Sequence, residues 1–213
     1  MNLERLLSAP PKLHGPDAMP TDGWRLDDAA LLFLESRVRT GMRTIETGAG
    51  VSTIAFAIKR TRHTCVVPNR RVVRRIGRYC ASVGISLRSV TFVLDRSEYA
   101  LPRLHRAAYD FALIDGRHGF PAPFIDWFYI ADRLRRGGVV LVDDTWIWTC
   151  DVLVRFLRQP RMATLRRSSD LRSLSQGAEQ RAACRVGRSA FRLLAKPSRS
   201  FLPFRHVCEG THR

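Results

Sequence analysis

The order of apolar and polar residues alternates between two periods along most of this chain. Short, densely apolar runs recur: Met42 to Ile45, His63 to Val67, Leu87 to Leu94, Asp110 to Ile114 and Val139 to Val142. Between them apolar residues return at helical spacing. Ala30, Leu31, Leu34 and Val38 share one face of a helix expected over Leu26 to Val38, with Asp27 and Asp28 in its first turn. Val51, Ile54, Ala55 and Ile58 mark the next helix, and Val72, Val73, Ile76, Tyr79, Cys80 and Val83 a third. Asn69 is placed to cap that third helix and Gly84 to follow its end. A short helix is expected over Leu101 to Ala108. A longer one is expected over Pro121 to Arg135, with Phe124, Phe128, Ala131 and Leu134 on one face and Gly137-Gly138 as its stop. Asp151 to Leu157 reads as a last short helix.

Strand and helix alternating about five times predict a doubly wound, Rossmann-like α/β domain with a mostly parallel sheet. Val139-Val-Leu-Val142 has the branched, continuous character of a strand buried on both faces. Met162 to Arg167 and Ser189 to Leu194 read as strands of an antiparallel C-terminal pair, joined by the arginine-rich stretch Ser168 to Arg188. The expected layout is an irregular Pro- and Gly-rich lead-in over 1–25, one domain over 26–195 and a tail over 196–213.

The chemistry collects at the expected carboxyl ends of the strands, where doubly wound sheets bind ligands. Thr44-Ile-Glu-Thr-Gly-Ala-Gly-Val-Ser-Thr53 reads as strand, glycine turn and helix start. Free N–H groups at such a helix start point at a ligand, and Gly48 and Gly50 let the backbone come close. A dinucleotide site has a third glycine where this chain has Thr53, which weighs against NAD or FAD. Asp115, Asp143 and Asp144 end adjacent strands and together offer oxygen donors suited to Mg²⁺. The alternative is that Asp143 and Asp144 cap the following segment. His118, three residues after Asp115, has the chemistry of a general base near neutral pH. Trp146 and Trp148 follow Asp144, and Phe120 and Trp127 lie nearby, as candidate walls of an apolar pocket.

Composition narrows this little. The 213-residue chain carries a net charge of +17, with only three lysines, Lys12, Lys59 and Lys196. The basic excess is densest in residues 151–213, which keeps a nucleic acid or other polyanion open as a partner. No aromatic stacking pattern accompanies those arginines, so this reading ranks lower. Cys65, Cys80, Cys150, Cys184 and Cys208 form no C-x-x-C pair and are odd in number, which disfavours a disulfide framework or zinc site. No apolar run is long enough for a membrane span, and no signal peptide is evident, so the expectation is a cytoplasmic protein. Walker A, nucleophile-elbow and zinc patterns do not occur.

Glu46-Thr-Gly-Ala-Gly-Val-Ser52 resembles motif I of class I S-adenosylmethionine-dependent methyltransferases. Phe111 to His118, followed by Leu134 to Asp144, resembles the fourth and fifth strands of their small-molecule O-methyltransferase-like branch. The resemblance covers about residues 26–157. It implies that Glu46, Thr47, Gly48, Ala49, Gly50 and Ser52 hold the methionine part of S-adenosyl-L-methionine. It further implies that Asp95 to Ser97 flank the adenine, and that Asp115 lies near the reacting methyl. Related catechol-type enzymes hold a metal on carboxylates matching Asp115, Asp143 and Asp144. One departure stands out: Val66-Val-Pro-Asn69 lacks the acid expected at the ribose, leaving Asn69 as a neutral substitute. The expected function is O-methylation of a small molecule. The alternatives are a methyltransferase acting on RNA or another polyanion, and a non-catalytic module of the same fold. The oligomeric state stays open, a homo-oligomer included.

Overall fold

The computed structural model describes residues 3–15 and 25–158. Its centre is a five-stranded sheet of β1 (Arg43–Thr47), β2 (Arg62–Val66), β3 (Val90–Val93), β4 (Tyr109–Ile114) and β5 (Leu134–Val142). The strand order is β3-β2-β1-β4-β5, and every pairing is parallel. The expected doubly wound architecture is present, but the antiparallel C-terminal pair is not part of it. The sheet holds parallel strands alone, and residues 162–167 and 189–194 lie outside the described residues. A few apolar residues among arginines and serines were too little periodicity to define a strand there.

Helices cover both faces. On one side lie α1 (Leu3–Ser8), α2 (Asp28–Arg37), α3 (Val51–Ile58) and α4 (Arg70–Ser82), packing Leu6, Leu31, Leu34, Phe56 and Ile76 against Phe111 and Leu113 of the sheet. On the other lie α5 (Ser97–Arg103), α6 (Ala122–Ala131) and α7 (Trp148–Arg158), which bring Leu101, Ile130 and Leu153 onto Ile45, Ala112 and Val140. Successive strand residues feed opposite layers because side chains alternate. Ile45 therefore joins the α5–α7 core, whereas Glu46 is fully buried on the α3 side, level with Cys65 in the β1–β2 register.

Local signals worked where chemistry was specific. Asn69 caps α4 by accepting from Arg71, as expected, whereas Asp27, expected in the first turn of α2, instead caps it by accepting from the Ala30 N–H. Gly84, past the end of α4, has φ +72°. Elsewhere boundaries moved. Leu3 and Leu6 form a buried turn of helix inside the expected irregular lead-in. The fifth helix begins at Ser97 rather than Leu101. The Gly137-Gly138 pair does not stop a helix. α6 ends at Ala131, β5 starts at Leu134, and the register jumps between Tyr109↔Leu134 and Phe111↔Val139. The extra residues form a bulge with Gly137 at φ +75°, a conformation glycine adopts without a Cβ penalty.

The order reversal falls between β1 and β4: β2 and β3 extend to one side and β5 to the other. Such a switch point opens a crevice beyond the strand ends. The glycine turn after β1 and the Asp115–His118 loop after β4 border it.

Candidate active site

The glycine turn is built by close backbone approach. Gly48 has φ +90°, and a Cβ there would lie 2.1 Å from the Asp115 carbonyl oxygen. No other residue fits that contact, so the end of β1 can rest on the end of β4 only through glycine. At Gly50 the neighbour is different: a Cβ would come 3.3 Å from His14 Nε2. His14, also bonded to the Ala49 backbone, is held below its ordinary pKa, chiefly by burial and also by the Arg75 charge. The lead-in thus covers the turn, a role its Pro-rich composition did not suggest.

Beneath the turn, Glu46 is spent on the fold. Its carboxylate accepts from Ser52 Oγ at 2.8 Å and from Thr53 Oγ1, and His63 Nε2 lies 3.1 Å away. The other His63 nitrogen lies 2.8 Å from Thr44 Oγ1, and Phe56 stacks on the ring at 4.2 Å. Thr53 Oγ1 also accepts from the Gly50 N–H, which ties α3 to the turn. The fully buried Glu46 and the nearly buried Ser52 are therefore supports of the cradle rather than surfaces facing the crevice. Cys65 completes a Glu46, His63, Cys65 group whose ligand atoms fall within 4.8 Å. Burial first, and the Glu46 charge second, hold its thiol well above the usual value, and the Sγ lies 3.3 Å from the Gly48 carbonyl. A thiol kept protonated is a poor metal ligand. Cys65, Cys80 and Cys150 are buried free thiols.

The β4 and β5 ends are different. Ligand atoms of Asp115, His118 and Asp144 lie within 4.8 Å of one another. His118 Nε2 is 3.3 Å from Asp144 Oδ2 and 3.8 Å from Asp115 Oδ1. Burial raises Asp115 to about 7, and the neighbouring charges of Asp143 and Asp144 push the same way against the opposing pull of His118. The hydrogen bond to Asp115 raises His118, and burial opposes it. Asp144 ends β5 with φ 48° and accepts from Trp146 Nε1 at 2.9 Å. Asp143 is buried beside the cluster, and His118 rather than Asp143 is the third side chain grouped with Asp115 and Asp144. Phe120, Trp146 and Trp148 stand 71%, 65% and 67% exposed around these strand ends. Trp127 instead packs into the α5–α7 core.

The remaining expected residues lie on the loops after β2 and β3. Asn69 is exposed, and its side-chain oxygen caps α4. Asp95 accepts from the Arg96 N–H at 2.8 Å and lies 3.5 Å from Arg103. Ser97 opens α5, and Arg117 pairs with Glu98 at 3.2 Å. One carboxyl was missed: Asp126, fully buried on α6. Its apolar neighbours suggested a Phe124–Phe128 face, but Ala122, Asp126 and Ile130 form the buried stripe and Phe128 is 68% exposed.

A family model described as a methyltransferase domain matches residues 45–145, from β1 through the Asp143-Asp144 pair. The match, just under half of the chain, supports an S-adenosylmethionine-dependent methyltransferase. Among solved structures, a precorrin-6y C5,15-methyltransferase from Geobacter metallireducens has 22% identity and a TM-score of 0.52, covering 64% of this chain and 73% of that one. A Streptococcus mutans protein described as a methyltransferase, in complex with SAH, gives 11% identity and 0.50, covering 62% and 80%. A Clostridium thermocellum protein described as an rRNA methylase gives 12% and 0.50, covering 61% and 77%. These similarities concern the fold. No curated protein matches the sequence. Among the described residues, no helix is long and apolar enough to cross a membrane.

Proposed function

We propose that this enzyme, acting in the cytoplasm, transfers the methyl group to a hydroxyl of a small, partly aromatic acceptor, with a divalent cation at Asp115 and Asp144. The observation that carries the reading is the convergence of Asp115, His118 and Asp144 at the crevice. Two carboxylates at that spacing suit Mg²⁺ or Mn²⁺, with Asp143 completing the negative field and His118 kept as the base beside them. A cation there would lower the acceptor hydroxyl's pKa. S-adenosylmethionine, when bound against Thr47 to Gly50, supplies an electrophilic methyl. In a transfer that would form a C–O bond and break the cofactor's C–S bond, His118 would take the proton leaving the acceptor hydroxyl. The base must be neutral to accept it, so turnover rises with pH as His118 deprotonates. Trp146, Trp148 and Phe120 offer flat apolar surface to an aromatic ring.

The test is production of S-adenosylhomocysteine with a panel of phenols and catechols, with EDTA and with Mg²⁺ restored. EDTA-sensitive turnover supports the reading; turnover indifferent to EDTA removes the cation from it. Turnover confined to RNA would replace the acceptor class.

That second acceptor class has one specific observation behind it. Arg71, Arg74, Arg75 and Arg78 line a shallow cavity of about 290 Å³ on α4, a helix without a carboxylate. Elsewhere arginines face carboxylates, as in Arg25–Asp28, Arg117–Glu98, Arg135–Asp110 and Arg155–Asp151, whereas Arg75 donates to the Leu13 and Gly15 carbonyls. A steep loss of RNA affinity with salt would favour this reading.

A further inference from the structure

Asp126 is a buried carboxyl that the chemistry above does not use. It projects from α6, whose other residues, Ala-Pro-Phe-Ile before it and Trp-Phe-Tyr-Ile-Ala after it, are mostly apolar. It is fully buried, and neither of its oxygens has an aligned hydrogen-bond partner; nor does the nearby Thr47 hydroxyl. A Cβ on Gly116 would come 3.2 Å from Asp126 Oδ2 and 3.3 Å from Thr47 Oγ1, so these groups meet under the loop that carries Asp115 and His118. The Ser97 hydroxyl faces the same carboxyl. Burial raises the group to about 6, and the Ser97 and Thr47 hydroxyls pull the other way.

A buried carboxyl with poorly aligned donors destabilises a fold, and an apolar side chain would pack there at lower cost. Its neighbours say what it is for. Thr47 ends β1 and leads into the glycine turn, Ser97 opens α5 after the β3 loop, and Gly116 follows Asp115. Those are three of the segments that border the cofactor crevice.

We propose that Asp126 is a positioning residue of the cofactor site: with cofactor bound, its carboxyl takes up the Thr47 and Ser97 hydroxyls, which lie out of alignment here, and so fixes the end of β1 and the start of α5. The inference rests on reading this crevice as the cofactor site. It assigns Asp126 no contact with the reacting atoms.

The experiment is calorimetric titration of the full chain with S-adenosylhomocysteine, alongside thermal unfolding. Asp126→Asn keeps an oxygen for both hydroxyls and should bind within about threefold of wild type. Asp126→Leu keeps the volume without the acceptors and should lose about tenfold or more. Ser97→Ala should weaken binding in wild type but have little further effect in the Asp126→Leu chain, a coupling that purely structural damage would not produce. Wild-type affinity in Asp126→Leu, or effects of the two substitutions that simply add, overturns the proposal. Should Asp126→Leu not fold, the Thr47→Val/Ser97→Ala chain decides, and unchanged affinity there overturns it. A wild-type chain that binds no S-adenosylhomocysteine sinks the cofactor reading and this inference together; the other failures sink this inference alone.

Discussion

Two groups of carboxylates and histidines border the same crevice, and they are built in opposite ways. Under the glycine turn, Glu46 receives Ser52, Thr53 and His63, and nothing of it reaches solvent. At the ends of β4 and β5, Asp115, His118 and Asp144 crowd like charges together with few donors and stay partly exposed. A buried carboxyl whose lone pairs are filled holds structure. A carboxyl raised to about 7 by burial and like charges has both of its states accessible near neutral pH. The same residue types therefore support the cradle on one side and are poised for chemistry on the other. Such perturbed groups concentrate at functional sites.

The contrast breaks most readily at the contact joining the two groups. Gly48→Ala would force a left-handed backbone and a 2.1 Å clash with the Asp115 carbonyl. It should cost about 3 kcal/mol or more, read by urea unfolding, and abolish S-adenosylhomocysteine binding. Glu46→Ala should cost nearly as much, about 3 kcal/mol, because it leaves Ser52, Thr53 and His63 without their acceptor. Asp115→Asn should do the reverse: stability at pH 7 held or raised, turnover lost by about 100-fold or more. Equal destabilisation by Glu46→Ala and Asp115→Asn would erase the distinction.

The strand ends were legible because their signals are chemical. Glycine at Gly48, the cap at Asn69 and the branched run at Val139 each answer a local backbone or burial requirement. Glu46 was placed in the right motif, but its bonds to Ser52 and Thr53 went unforeseen, because those donors come from the next helix. Strand alternation could have warned of this: with Ile45 committed to the α5–α7 core, Glu46 had to face α3. Asp126 and His14 were invisible for another reason. Each acts through a tertiary contact, with Gly116 and Gly50 respectively, that no local period encodes.

Smaller effects sharpen the picture. Asp126 is raised above its unfolded value, to about 6, so the folded chain holds its proton more tightly than the unfolded chain does. Stability should fall as pH rises from about 4 to 6, by at most about 1.4 kcal/mol per pH unit for this group. Asp126→Asn should flatten that slope in pH-dependent urea titrations; an unchanged slope would move the titration elsewhere. Least of all, Asn69→Asp keeps the α4 cap and restores a carboxylate at the expected ribose position. It should tighten S-adenosylhomocysteine by about tenfold at most, and no change would place Asn69 away from the ribose.

The central claim is that chemistry belongs to the β4–β5 cluster and structure to the Glu46 group. Electron paramagnetic resonance of Mn²⁺ titrated into the full chain tests both at once. The account expects one site per chain, lost in Asp115→Asn and in Asp144→Asn and kept in Glu46→Gln. No binding at millimolar Mn²⁺, or a site lost in Glu46→Gln and kept in Asp115→Asn, would contradict it.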